Sequence, residues 1–311
     1  MEIISGKTQF HIKENSAVAI GKFDGIHIGH QKLLKELLNR KNLGEKTVVF
    51  TFEPSPAKYL AKKQGLMFQE KEITTRDEKR KLFEAFGIDV LIEFPMNDDT
   101  VVIEPEDFVK TYLLDFLHVK FVAAGADLSF GNRGSGDTRL LCEMGKLYGF
   151  QVDIIDKVCY QGTEISSTFV RECLERGEAD KIPELLGRYY SFAGIIQHGH
   201  KIGRTIGMPT VNLIPEEEKL IPTFGVYYSK VMLDDKEYYG ITNIGKKPTI
   251  GDHEMTGVET YIYDFNQDLY GREITVYLLQ YKRPELRFSS KEALQIQMQQ
   301  DMEEGRVYHQ I

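Results

Sequence analysis

Cysteine is scarce in this sequence, and the three present, Cys142, Cys159 and Cys173, make no C-x-x-C pair. An odd number without that spacing argues against a disulfide framework or a zinc site, so small buried side chains are their expected use. No apolar run approaches the ~20 residues of a membrane-spanning helix, and the first residues lack a charged, apolar and small-residue leader pattern. The cytoplasm is therefore the expected compartment, with no membrane partner. A basic excess is missing too: the net charge is −8 and the pI about 5.6. That argues against nucleic acid as a partner and requires any bound phosphate to be held by local donors. What is there is ordinary for a globular chain: 311 residues, 41% of them hydrophobic, enough for two domains with real cores.

The most informative stretch is Ile20-Gly21-Lys22-Phe23-Asp24-Gly25-Ile26-His27-Ile28-Gly29-His30. Ser16 to Ile20 reads as a short buried strand, Gly21 and Gly25 permit tight turns, and Gln31 to Leu38 carries apolar residues at helical spacing. A helix start after such a loop offers unpaired N–H groups and partial positive charge, the natural host of a phosphate. His27 and His30 are three apart, so a helical start puts both imidazoles on one side, and Gly29 lets a ligand approach the backbone. This H-x-G-H arrangement resembles the defining motif of the nucleotidyltransferase superfamily, whose members join ATP to an acceptor and release pyrophosphate. The plainer alternative is a pair of surface histidines in a glycine loop.

Repeated βα units follow as far as about Tyr160. Strands are predicted at Thr47–Phe52, Val90–Phe94, Phe121–Gly125 and Phe150–Ile155, and helices at Thr75–Phe86, Pro105–Phe116 and Leu140–Gly149. Such a pattern implies a doubly wound parallel sheet with ligands at the carboxyl ends of its strands. Gly125 to Gly134 is a glycine-spaced loop at one of these ends. Ile165-Ser166-Ser167-Thr168-Phe169-Val170-Arg171 is a helix start with hydroxyls and a cation, suited to the far flank of a polyphosphate, or else no more than helix caps and an exposed arginine. Past Pro183 the texture becomes short alternating segments: Tyr190–Gln197, Gly225–Leu233, Glu237–Ile244, Val258–Ile262 and Glu273–Tyr281, then a helix at Lys291–Met302. An antiparallel β-barrel with a closing helix is expected, and the domains are placed at 1–183 and 184–311. The loop His198 to Leu213 has spaced glycines that allow backbone amides to close around phosphates, while Thr210 and Asn212 supply uncharged oxygens suited to a magnesium-bound nucleotide. It is not a Walker A sequence, and alone it reads equally as a hairpin loop.

Together with Thr51-Phe52-Glu53-Pro54 and Gly125-Ala126-Asp127-Leu128-Ser129-Phe130-Gly131, the histidine loop and the Ser167 helix start resemble the FMN adenylyltransferase module of bacterial bifunctional riboflavin kinase/FAD synthetases. Gly203 to Leu213, Pro222 to Tyr227, Thr242 to Thr249, Glu259-Thr260 and Asp268 to Gly271 resemble the successive motifs of the riboflavin kinase module, so the resemblance covers nearly the whole chain. It implies a Rossmann-like nucleotidyltransferase domain followed by a kinase β-barrel, which make FMN and then FAD from riboflavin with ATP and Mg²⁺. It also implies Glu259 as the base of the kinase, Thr210 and Asn212 as magnesium and phosphate holders, and His27, His30 and Arg171 as donors to the phosphates of the transferase. Nucleotide contacts are implied for Gly21, Phe23, Asp24, Gly29, Asp127, Ser167 and Thr168 in the first module, and for Gly203, Gly207, Pro209 and Asn212 in the second. Asp24 either orients a histidine or sits in a turn, and Glu259 taken alone reads as a solvent-facing strand carboxylate. Three positions depart from the family pattern: Ser55 and Tyr261, where His is usual, and Lys22, where Asn is usual. Other readings are a transferase with a different phosphate-bearing acceptor and a flavin-binding regulator with one silent module. Composition and motifs leave the oligomeric state open.

Overall fold

The computed structural model describes residues 1–68, 70–197, 208–247, 255–267 and 269–311, which form two compact units, Met1–Ser167 and Thr168–Ile311. Gly203, Gly207 and the motif residues Pro248, Thr249 and Asp268 lie outside the described residues.

The first unit runs β1 (Glu2–Ser5), β2 (Ser16–Ile20), α1 (Ile28–Arg40), β3 (Lys46–Glu53), α2 (Pro56–Lys63), α3 (Arg76–Phe86) and β4 (Val90–Pro95). It continues with α4 (Pro105–Asp107, prolonged as a π-helix over Phe108–Phe116), β5 (Val119–Gly125), the small hairpin β6 (Ser129–Phe130) and β7 (Gly136–Asp137), α5 (Thr138–Tyr148) and β8 (Gln151–Ile155). A second small hairpin, β9 (Cys159–Tyr160) and β10 (Thr163–Glu164), ends it. Six strands make one sheet in the order β1-β4-β3-β2-β5-β8, every neighbouring pair parallel. Side chains alternate across it as the strand period demands. Val18, Ile20, Val48, Phe50 and Val122 pack with Phe108, Leu113 and Leu141 of α4 and α5 on one face. Ala17, Ala19, Val49 and Ala123 pack with Leu33, Leu34, Leu37 and Phe83 of α1 and α3 on the other. The expected doubly wound sheet is thus present, and the alanines are small because α1 lies over them. The sheet changes winding direction between β2 and β5, so the loops after these two strands flank the crevice where ligands of open α/β sheets bind. β1 and α2 were not anticipated: β1 is a short edge strand half exposed to solvent, and α2 buries no residue fully, so neither leaves an apolar signature.

The second unit begins on α6 (Ser167–Glu175), whose first residue belongs to the first unit, and α7 (Ile182–Leu186). Then come β11 (Tyr190–Ile195), β12 (Thr210–Leu213), β13 (Gly225–Leu233), β14 (Lys236–Lys247), β15 (Met255–Ile262), β16 (Glu273–Arg283) and α8 (Lys291–His309). All strands pair antiparallel in the order β11-β16-β13-β14-β15-β12. The sheet curls until its edges meet at one bridge, where the Gln197 N–H donates to the Asn212 carbonyl at 2.9 Å. The expected barrel is therefore a curled sheet closed at one point. Burial along β13 alternates strictly from Tyr227 to Leu233, and its buried Ser229 joins Thr242 and Thr260 in a chain of hydroxyl hydrogen bonds of 2.8 Å each. Helix α8 runs seven residues past the expected Met302. The residues it buries there are Gly305 and His309, and the Asp301 carboxylate before them accepts from Arg283 Nε at 3.0 Å. Packing through such polar and small residues is invisible to a hydrophobic period.

Two expectations need correction. Thr210 to Leu213 is a strand and not the end of a loop, because pairing with β15 overrides the glycine and proline texture before it. Of the cysteines only Cys173 is buried; Cys142 is half-buried and Cys159 exposed on β9, so burial does not account for all three.

Candidate functional site

In the first unit the loop after β2 is bent by three left-handed residues, Phe23 at φ 53°, Gly25 at φ 79° and Ile26 at φ 43°. For a β-branched residue such as Ile26 this conformation costs on the order of 1–3 kcal/mol and persists only where the surroundings enforce it. Phe23, Asp24, Gly25 and Ile26 are all buried. Phe23 packs edge-on against Phe83 of α3 at 5.5 Å and, tilted, against the His30 ring at 5.1 Å. Gly21 sits under the Phe23 ring: a Cβ there would lie 3.3 Å from it. The result is that α1 starts with His27 as its N-cap, whose Nδ1 accepts from the His30 N–H at 3.4 Å. The two imidazoles stack with centroids 3.7 Å apart. Because Nδ1 of His27 accepts, the ring proton is assigned to Nε2, which is left to donate outward. His30 Nδ1 is buried with no hydrogen-bond partner among the described residues. Gly29 also leaves room for the His27 ring: a Cβ there would stand 3.1 Å from it, and the ring would have to give by a few tenths of an ångström.

Burial pushes the His27 imidazole down to about 4, against the opposing pull of Asp127 and Glu164. His30 is pushed well below the ordinary value by burial and by His27. Both rings are therefore neutral donors at neutral pH. Asp127 is exposed just past β5, its carboxylate 2.9 Å from where a Gly125 Cβ would be. Asp24 lies in a turn: its Oδ1 accepts from the backbone N–H of Ile73 at 3.0 Å and of Thr74 at 3.4 Å. Ser167 Oγ donates to the Asp24 carbonyl at 2.9 Å. Thr168 and Arg171 follow on α6 in the second compact unit. Two departures acquire local roles: Ser55, buried, caps α2 by accepting from Lys58 N–H at 3.3 Å, and Lys22 lies 3.7 Å from Glu70. The segment Ile73-Thr74, which the motifs did not mark, is the structural partner of the histidine loop. Its one sequence signal is its place just before the capping box of α3, Thr75 with Glu78.

In the second unit, strand register builds the site. Asn212 of β12 and Asn243 of β14 stand directly opposite Glu259 of β15, one on each side, and Thr210 stands opposite Tyr261. All share one face of the sheet, as the period of two requires. Thr210 Oγ donates to Glu259 Oε1 at 2.6 Å. In donating its proton, the Thr210 oxygen keeps its lone pairs, and it and the Asn212 amide oxygen are hard oxygens of the kind that could hold Mg²⁺. Glu259 is half-buried and Asn212 buried, so the carboxylate is not the freely solvated one of the plainer reading. Beside Thr210 a cavity of about 360 Å³ opens, lined by Pro209, Val211, Ile262, Phe265 and Tyr270 among others. Its lining is mixed, with Thr210, Asn266 and Gln267 beside those apolar side chains, and a concave site with a few polar groups at its wall has the character of a small-molecule site. Tyr261 packs edge-on against Tyr263 at 5.4 Å.

Among the described residues no helix is long and apolar enough to cross a membrane. Residues 9–169 match the FAD synthetase family model and residues 186–309 the riboflavin kinase model. The chain is similar over 96% of its own length and 96% of the other's, at 37% identity, to a bifunctional riboflavin kinase/FMN adenylyltransferase of Buchnera aphidicola. The protein of that name from Listeria monocytogenes is 35% identical over 94% of this chain and 92% of its own. That from Escherichia coli is 34% identical over 93% and 91%. A solved structure described as a macrolide-efflux protein from Streptococcus pneumoniae has the same architecture, with a TM-score of 0.85 at 29% identity over 98% of both chains. With a family match to each unit and relatives alike from end to end, the chain belongs to the bifunctional riboflavin kinase/FMN adenylyltransferase family.

Proposed function

We propose that residues 184–311 phosphorylate riboflavin and residues 1–183 adenylylate the FMN produced. The division of labour is placed at residues 183/184, which fall between the two family matches, one ending at 169 and the other beginning at 186. The observation that carries the reading is that each half has a site of the chemistry its step needs: a carboxylate and hydroxyl pair at 2.6 Å in one, a stacked pair of histidines at a helix start in the other.

In the kinase half the 5′-hydroxyl of riboflavin loses its proton to Glu259 as its oxygen attacks the γ-phosphorus of ATP, and ADP leaves. Thr210 and Asn212 hold the phosphates and Mg²⁺, with Gly203, Gly207 and Pro209 as backbone contacts to the nucleotide; bound there, the metal neutralises charge on the phosphate oxygens. The cavity beside Thr210 is the place for the nucleotide. In the transferase half a phosphate oxygen of FMN attacks the α-phosphorus of a second ATP, the bond to the β-phosphate breaks, and FAD and pyrophosphate result. His27 and His30 donate neutral N–H groups as charge gathers on the leaving pyrophosphate, aided by the positive end of α1. Arg171, Ser167 and Thr168 donate to the remaining phosphate oxygens, and Gly21, Phe23, Asp24, Gly29 and Asp127 shape the pocket. Small molecules are the partners, and the cytoplasm, which supplies ATP, is the compartment.

The test is chromatography of flavins after incubation with riboflavin, ATP and Mg²⁺, and separately with FMN, ATP and Mg²⁺. FMN and FAD from the first mixture are expected, with both lost on chelation of Mg²⁺. FAD from the second mixture alone marks a silent kinase half, and flavin binding without turnover in either marks a regulator.

A further inference from the structure

We propose that Thr74, acting with Asp24, is a positioning residue that clamps the strained histidine loop and so holds His27 and His30 in register for adenylyl transfer. The inference rests on the transferase reading of the first unit and adds Thr74, which that reading does not use. The buried loop needs an external hold, because Phe23, Gly25 and Ile26 all take left-handed backbone conformations. Segment 73–74 supplies it in both directions: the N–H groups of Ile73 and Thr74 donate to Asp24 Oδ1, and Gly25 N–H donates to Thr74 Oγ at 3.0 Å. The Ile73 side chain closes the space, lying 3.2 Å from where a Gly25 Cβ would be. Ile73, Thr74 and Thr75 are themselves buried.

The clamp is anchored in turn. Thr75 caps α3, and Arg76 and Arg80 on that helix donate to Glu93, a buried carboxylate on β4, at 2.5 and 2.6 Å. The burial penalty on Glu93 is outweighed by these arginines, which keep its carboxyl at about 2. The segment just before a helix tied to the sheet thus presents two backbone donors and one hydroxyl acceptor to the strained loop. Since a hydroxyl only 3.0 Å from the Gly25 N–H acts two residues away from His27, its loss moves the imidazoles without touching substrate.

Thr74→Val keeps the shape of the side chain and removes the acceptor; Thr74→Ser restores it. For the valine variant we expect kcat of FAD formation to fall about tenfold while KM for FMN stays within about threefold, the signature of lost alignment. FMN formation by the same preparation stays unchanged, and the serine variant recovers most of the rate. Independently of any activity, histidine NMR titration of Thr74→Val should move His27 upward toward the ordinary imidazole range as the loop loosens. A valine variant with unaltered kcat and an unmoved His27 titration overturns the proposal, as does equal loss of both activities. If the unaltered protein makes no FAD, the transferase reading fails and the His27 titration alone decides the clamp.

Discussion

The two halves place their candidate site residues by different means. In the first unit the histidines sit on a loop and a helix start, and their geometry depends on buried contacts with a segment 49 residues away, at Ile73. In the second, Thr210, Asn212 and Glu259 sit on adjacent strands, where the ladder itself sets the spacing. A loop can bring neutral imidazoles and backbone amides together in a pocket that excludes water, at the cost of strain and of dependence on distant residues. A strand pair can hold a carboxylate beside a hydroxyl with little strain, but only in positions that the pleat allows. The difference teaches where each half is vulnerable: the first to loss of support, the second to loss of a single side chain.

The largest effects should come from Glu259→Gln and His30→Ala, each aimed at one half. The first should cut FMN formation by about 10²–10⁴-fold and leave conversion of FMN to FAD intact. The second should do the reverse, with FAD formation falling about 10²–10³-fold. Chromatographic assay of both steps on each variant checks this, and loss of both activities in either one would sink the two-site account. Thr210→Val should follow, since a hydrogen bond to a charged group is removed: kinase turnover should drop by about 10–100-fold, read as kcat/KM for riboflavin, with FAD formation unaltered.

Acid should separate the halves next. His27 titrates near 4 in the fold against 6.5 as its ordinary value, because burial favours the neutral ring. Between those values the unfolded chain binds more protons, so the stabilisation is complete above pH 6.5 and is lost as the pH falls through 4, up to about 3 kcal/mol. His30 is depressed by burial in the same unit, whereas in the second unit His309 is lowered by burial but held up in part by its hydrogen bond to the Gly240 carbonyl. Calorimetry at pH 7 and pH 5 should show the first unit losing the greater share of its stability. The smallest effects should come from the helix caps. Thr75→Ala and Ser290→Ala each remove an N-cap and should cost about 1 kcal/mol of local stability by hydrogen exchange. Only the former should also slow FAD formation, because α3 carries the clamp.

How much of this was legible depended on the range of the interactions. β2, β3, β4 and β5 were readable because each buries a run of apolar residues on both faces. The H-x-G-H motif was readable because strand, glycines and helix start are consecutive. The roles of Ser55 as a cap and of Asp24 as an acceptor for segment 73–74 were not, since a short polar residue in a loop has many equivalent uses until its partner is known. The sequence of β12 reads as loop, because its strand conformation comes from pairing with β15 and not from its own four residues.

The sequence by itself determined the division into an α/β half and a β half, the two candidate site stretches and the family, because periodicity and motifs are carried by residues close together in the chain. The tertiary structure alone decided that Thr210 meets Glu259, that Gly29 makes room for the His27 ring, and that Thr74 supports the histidine loop. Those contacts are made by packing and by strand register, which bring together groups that no local pattern relates.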